Sequence, residues 1–140
     1  MQLISPEKIF RGNGAWLKAL PQIKNFSKSP LLLGRSLATK DIRQQIYKDL
    51  HDENLSVYSS NLQFDCCYED LQRIKGLILK KKCDSIIAVG GGKVLDAGKF
   101  LADSLSIPVI TIPSSASTCA GWTALSNIYS IKGQFIEDIE

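Results

Sequence analysis

The sequence predicts an α/β fold, a doubly wound parallel sheet with a hairpin toward the C-terminal end. Three observations carry that reading. Apolar runs of strand length alternate with segments of helical periodicity. One run, Ser85-Ile86-Ile87-Ala88-Val89, is apolar on both faces, as a strand covered by helices on both sides must be. The turn after it, Gly90-Gly91-Gly92, leads directly into a helical pattern. Parallel neighbours require crossover connections, so a β-α-β-α-β-α-β order specifies a parallel sheet with helices on both faces.

The elements follow in order. Residues before Pro30 are the least regular: a Gly12-Asn13-Gly14 turn and Ala15–Leu20 suggest a lead-in with one or two helical turns. Pro30-Leu31-Leu32-Leu33-Gly34 is the first buried strand, stopped by glycine. Thr39 reads as the N-cap of a helix with Ile42, Ile46 and Leu50 at helical spacing. Leu55-Ser56-Val57-Tyr58 reads as the second strand. A helix from about Tyr68 places Leu71, Ile74 and Ile78 on one face and ends in lysines. After the glycine turn, a helix from about Lys93 buries Val94, Ala97, Leu101, Ala102 and Leu105. Ile107–Ile112 is the fourth strand, closed by Pro113. Beyond a stretch rich in Ser, Thr and Ala, Asn127–Ser130 and Gln134–Ile136 alternate around Lys132-Gly133 like a hairpin.

Composition narrows the function classes. At 140 residues, 44% of them apolar and 22% charged, the chain has the make-up of one globular domain with a real core. The net charge of +3 is mild, and Lys80-Lys81-Lys82 sits where cations complement a helix dipole. No aromatic residues interleave with the basic ones, so a nucleic-acid partner is not expected. Residues Met1–Phe10 carry Glu7 and Lys8 and no apolar run of signal-peptide length, and no stretch approaches a bilayer span, so no membrane association is expected. The four cysteines have neither CxxC nor zinc-ligand spacing, which suits reduced thiols in a cytoplasmic protein.

The candidate site lies where ligands of open parallel sheets bind, beyond the carboxyl ends of the strands. Gly34-Arg35-Ser36, Gly90-Gly91-Gly92-Lys93 and Ser114-Ser115-Ala116-Ser117 converge there. Glycines let phosphate oxygens approach the backbone, and the following helix offers free N–H groups and the positive end of its dipole. Lys93 adds a cation at the end of the helix where it is least favourable, which a bound anion would explain; Asp96 is placed to answer the lysine or the helix N–H groups. The alternative is that the glycines only make a tight turn. The stretch is not a Walker A loop, since Gly98-Lys99 is followed by Phe100 and Lys93 stands where the first glycine belongs. Nor is it GxGxxG, since the last position is Leu95.

Gly90-Gly91-Gly92-Lys93-Val94-Leu95-Asp96-Ala97-Gly98-Lys99 resembles the GGGxxxDxxK element of the iron-containing alcohol dehydrogenase and glycerol dehydrogenase superfamily, which includes dehydroquinate synthase. Ile107-Pro108 with Ile112-Pro113-Ser114-Ser115-Ala116-Ser117-Thr118 is similar to its IPxxxxPTxAST segment, and Thr123–Tyr129 to its SALSVIY strand. The likeness extends over essentially the whole chain, most sharply over residues 84–135. Thr118-Cys119-Ala120-Gly121-Trp122-Thr123-Ala124-Leu125-Ser126 is most similar to a glycerol-dehydrogenase-like branch carrying TCAxWTxLS, which includes hydroxycarboxylate dehydrogenases.

The resemblance implies a Rossmann-like nucleotide-binding domain over residues 1–140 and an NAD or NADP cofactor. Gly91, Gly92 and Lys93 would hold the pyrophosphate and Asp96 would anchor the turn. Ser114 and Ser117 would approach the adenine side and phosphates, while Thr123, Leu125 and Tyr129 would line the nicotinamide site. Arg35 stands where NAD-using members often carry an Asp for the ribose hydroxyls; a guanidinium cannot accept those bonds but can pair with a 2′-phosphate, which points toward NADP(H). Cys119 replaces an Asp that contacts the polyol in glycerol dehydrogenases, and Trp122 replaces a smaller residue. Both are therefore either substrate-pocket residues, for an alcohol or a 2-oxo or 2-hydroxy acid, or ordinary packing.

The family's divalent metal, iron or zinc, is held by an Asp and histidines of a following helical domain. The only histidine here, His51, falls in the first crossover helix, so no metal ligands are expected in this chain and the catalytic residues are unassigned. The expectation is a cofactor-binding half of a metal-dependent oxidoreductase, with negligible turnover alone. Two alternatives remain, a stand-alone dinucleotide-binding module and a dehydroquinate-synthase-like lyase domain. An exposed cleft face would also favour a homo-oligomer.

Overall fold

A computed structural model describes residues 6–116 and 119–140. Its elements are α1 (Ala15–Phe26), β1 (Pro30–Gly34), a 3₁₀ turn (Leu37–Thr39), α2 (Lys40–Asp52), β2 (Tyr58–Asn61), α3 (Tyr68–Lys81), β3 (Ser85–Gly90), α4 (Gly92–Leu105), β4 (Val109–Pro113), β5 (Ser126–Tyr129) and β6 (Phe135–Ile139). Strands β1 to β4 form one parallel sheet in the order β2-β1-β3-β4, and β5 and β6 form a separate antiparallel hairpin. The predicted doubly wound sheet and C-terminal hairpin are both present.

Period-2 alternation splits the inner strands between two cores. Leu31 and Leu33 of β1, with Ile86 and Ala88 of β3, pack under α3 and α4 against Leu71, Ile74, Ile78, Leu95 and Leu101. Leu32, Ile87 and Val89 face the opposite way, against Leu20 and Ile23 of α1 and Ile46 and Leu50 of α2. Fully burying each such side chain is worth about 1.5–3 kcal/mol, so the two inner strands hold both layers. Helix α4 lies close on β3 because Gly98 lets it: a Cβ there would stand 2.6 Å from the Ala88 Cβ. Among the described residues no helix is long and apolar enough to cross a membrane.

Four expectations are corrected. The lead-in is a twelve-residue helix, α1, which keeps Pro21 inside it because Leu20 and Ile23 bury against the sheet. The second strand is displaced to Tyr58–Asn61. Leu55 and Val57 serve the second core instead, and the Leu55 N–H closes the end of α2 on the Leu50 carbonyl. The fourth strand starts at Val109, since the Ile107 N–H still bonds to Ala102 at the end of α4. Thr39 precedes α2 but does not cap it with its side chain; its hydroxyl donates to the Ser36 carbonyl at 3.4 Å and accepts from Arg43. Ile42 is half exposed, leaving Ile46 and Leu50 as the buried face of α2.

Two buried or partly buried carboxylates pin the connections. Asp84 accepts from the Ser27 hydroxyl and the Lys28 and Ser29 N–H groups, tying the start of β3 to the start of β1. Asp70 accepts from the Phe64 and Asp65 N–H groups and pairs with Arg73 at 2.9 Å. Burial alone would raise both carboxyls, but these donors outweigh it and hold both below the usual carboxylate range. A depressed folded-state value contributes stability that is present above the unfolded value of about 4 and lost as the pH falls below it. We therefore expect urea midpoints to fall as the pH is lowered through about 4 and below, and Asp84→Asn to flatten that acid limb. An acid limb of unchanged steepness in the variant would contradict this assignment.

Candidate functional site

The sheet order creates the site. Strands β1 and β3 are neighbours, yet their following helices, α2 and α4, leave toward opposite faces, so a crevice opens beyond their carboxyl ends. A groove of about 230 Å³ occupies this position, lined by Arg35, Ser36, Thr39, Gly90, Gly91, Gly92, Lys93 and Val94.

The three glycines differ in what the fold asks of them. A Cβ on Gly90 would press on Val94 at 3.0 Å, so packing against α4 accounts for that glycine. Gly91 has an ordinary φ of −81°, and a Cβ there would meet nothing within 4 Å among the described residues. Neither backbone conformation nor packing among the described residues explains its lack of a side chain, and Gly91 lines the groove. Gly92 begins α4, whose start has no side-chain cap and no acidic residue in its first turn. Its backbone donors and dipole suit an anion, and the tight-turn alternative accounts for Gly90 but not for Gly91.

Lys93 lies on that first turn, and its ammonium is held at 2.6 Å from the Asp65 carboxylate and 4.5 Å above the Tyr129 ring. Arg35, at the end of β1, donates to the Phe64 carbonyl at 2.6 Å and lies 4.0 Å from the same Asp65 oxygen. Arg35, Gly91, Gly92, Lys93 and Tyr129 are thus brought together. Ser114 follows β4, its N–H bonded to the Gly90 carbonyl. Ser117 lies outside the described residues.

Asp96 does not meet Lys93 or the turn, contrary to both expectations for it. It points the other way along α4, pairing with Lys99 at 3.0 Å and accepting from the Asn127 N–H. Lys99, nine-tenths buried, donates to the Thr123 and Leu125 carbonyls, and the Ser126 hydroxyl donates to the Asp96 carbonyl at 3.0 Å. The pair therefore fastens residues 123–127 to α4 rather than anchoring the glycine turn. Thr123 and Leu125 are held by their backbones, half-buried, beside the hairpin.

Cys119 and Trp122 share a turn in which the Trp122 N–H bonds to the Cys119 carbonyl. Both are exposed, Trp122 at 44%, so core packing does not account for them. The other cysteines, Cys66, Cys67 and Cys83, are buried, and all four are free. Burial, with Asp96 and Asp65 nearby, pushes the Cys66 thiol up to about 12, which leaves it an inert packing group. His51 stacks on Tyr47 at the end of α2. Among the described residues no three His, Cys, Asp or Glu side chains are grouped to hold a metal.

Sequence reasoning missed Asp65 and Lys99. The i,i+3 spacing of Asp96 and Lys99 was a usable signal for the second; nothing in the Phe64-Asp65-Cys66 stretch marks the first.

Comparison with known proteins agrees with this fold. The profile of the family described as iron-containing alcohol dehydrogenase matches residues 6–137. A glycerol dehydrogenase of Citrobacter freundii is 29% identical over 133 residues, 95% of this chain and 36% of that protein. Hydroxycarboxylate dehydrogenase A of Escherichia coli is 49% identical over 49 residues, 35% of this chain and 14% of that one. The crystal structure of glycerol dehydrogenase from Schizosaccharomyces pombe superposes with a TM-score of 0.83 at 26% identity, covering 99% of this chain and 35% of that chain. The chain thus spans little more than a third of these relatives' length at most.

Removing the Lys99 ammonium would leave the Asp96 carboxylate buried without a counter-charge, with only the Asn127 N–H to answer it. We expect Lys99→Met to cost about 3 kcal/mol in chemical denaturation, with hydrogen-exchange protection lost first from residues 126–139. Loss of protection spread evenly over the sheet would argue against this role.

Proposed function

The chain belongs to the iron-containing alcohol dehydrogenase family, and from that premise we propose that it is the cofactor-binding part of an NAD(P)-dependent oxidoreductase acting on an alcohol, a polyol or a 2-hydroxy acid. The single observation that carries this reading is Gly91. Its missing side chain leaves a cradle that the fold itself does not need. That cradle lies at the sheet's switch point, at an uncapped helix start, in a groove that two cations, Arg35 and Lys93, also line. A diphosphate has the size and charge such a cradle takes.

In this reading the N–H groups at the start of α4 and the Lys93 ammonium receive the diphosphate. Tyr129, Thr123 and Leu125 border the nicotinamide end, Ser114 and Ser117 the adenine and phosphate side, and Cys119 and Trp122 the substrate. Arg35 ends the strand beside the glycine strand, where a ribose 2′ substituent falls in dinucleotide sites. It offers donors only, which supports NADP(H) over NAD(H). In such enzymes a divalent metal polarises the alcohol oxygen as hydride leaves. The described residues do not fit that metal, so we assign its ligands to chain outside these 140 residues and expect no turnover from them alone. Free thiols agree with a cytoplasmic setting.

The test is cofactor titration, followed by reduced-nicotinamide fluorescence. Gly91→Ala is expected to leave the unfolding midpoint in place, since its Cβ enters open space, while weakening dinucleotide binding at least tenfold. Unaltered binding in that variant would remove the basis of the reading. NADPH is expected to bind about tenfold more tightly than NADH, and Arg35→Asp to reverse the order. A wild-type preference for NADH would refute the assignment to Arg35.

A further inference from the structure

The dinucleotide reading leaves one feature of the groove unexplained. Both of its cations lean on a carboxylate that no motif pointed to. Asp65 lies in the loop between β2 and α3, its side chain only 4% exposed. One carboxylate oxygen accepts from the Cys66 N–H at 2.7 Å. The other receives the Lys93 ammonium at 2.6 Å and lies 4.0 Å from the Arg35 guanidinium. The loop is fixed in turn by Asp70, which accepts from the Phe64 and Asp65 N–H groups at 2.7 and 3.2 Å.

A lysine on the first turn of a helix is opposed by the helix dipole, and no acidic residue of that turn offsets it. Left alone, the long side chain would extend into solvent and populate many rotamers. Asp65 supplies the missing counter-charge from another element, and Tyr129 receives the same ammonium on its ring face at 4.5 Å. The ammonium is thereby fixed at one point between the loop, the helix and the hairpin. A ligand that meets an ordered lysine does not have to order it on binding.

We propose that Asp65 is a positioning residue of the cofactor site, acting through Lys93: its buried carboxylate holds the ammonium where the dinucleotide's phosphate oxygens arrive. The proposal rests on the dinucleotide reading and adds to it a residue that touches no ligand atom.

The experiment is a double-mutant cycle on the 140-residue chain, with NADPH and NADH as probes. Asp65→Asn keeps an oxygen for the Cys66 N–H and removes the charge; it is expected to weaken the better-bound dinucleotide about fivefold to tenfold. In a Lys93→Met background the same change is expected to have no further effect, because its route is gone. Equal losses in both backgrounds would make Asp65 merely structural and overturn the proposal, as would unchanged or tighter binding by Asp65→Asn. A second measurement needs no altered Asp65. In the ligand-free chain, the Lys93 ammonium is expected to give a resolved proton–nitrogen NMR signal, assigned by its loss in Lys93→Met. No such signal would mean the lysine is not held, and the proposal falls. If the wild-type chain binds neither dinucleotide, the functional reading fails and takes this inference with it; if it binds one and the cycle shows no coupling, only this inference fails.

Discussion

The site depends on a buried ion pair that does not belong to it. Asp96 and Lys99 lie one turn apart on α4, both nearly inaccessible, and between them they satisfy two carbonyls and one N–H of residues 123–127. That segment has no place in the parallel sheet. The hairpin's other ties to the domain include the buried Ile128, the Tyr129 N–H on the Cys66 carbonyl, the Tyr129 ring under Lys93, the Ser126 hydroxyl on the Asp96 carbonyl and the Tyr68 hydroxyl on Glu137. Buried charges are costly when alone and tolerable when fully partnered. Here every partner given for them is either the other member of the pair or a group of the segment they secure, backbone except for the Thr123 hydroxyl.

From this pair the geometry propagates along α4. Between its two members, Gly98 brings the helix against Ala88 and sets its height over the sheet. Toward its start, the same height delivers Gly91 and Lys93 to the crevice between β1 and β3. Lys93 then meets Tyr129 of the hairpin that Lys99 has already fastened. The glycine turn and the hairpin are therefore two ends of one rigid piece, and the loop carrying Asp65 closes the triangle.

Much of this was legible in the residues and some was not, for physical reasons. The inner strands β1 and β3 announce themselves because burial on both faces demands continuous apolar runs. Edge strand β2, Tyr-Ser-Ser-Asn, carries no such demand, and Leu55 and Val57 just before it mimic a strand while packing under helices. Helix α1 runs on past Leu20 through Pro21 because Leu20 and Ile23 bury against the sheet, a tertiary contact that local sequence does not display. The glycine turn could be found from its composition, but only coordinates separate Gly90, which the fold requires, from Gly91, which it does not. Asp65 was invisible because its partners, Lys93 and Arg35, lie far along the chain on other elements.

The sheet order has a consequence for how the chain is made. Strand β1 is flanked by β2 and β3, but β3 emerges from the ribosome only after all of α2, β2 and α3. Until then one edge of Leu31-Leu32-Leu33 has no partner, and that edge is a template for another chain. Closing it requires contact between residues as distant as Leu32 and Ile87, a slow step compared with forming the hairpin. During synthesis the nascent chain therefore passes through an interval of exposed apolar edge. The arrival of β3, the same strand that presents the glycine turn, ends that interval.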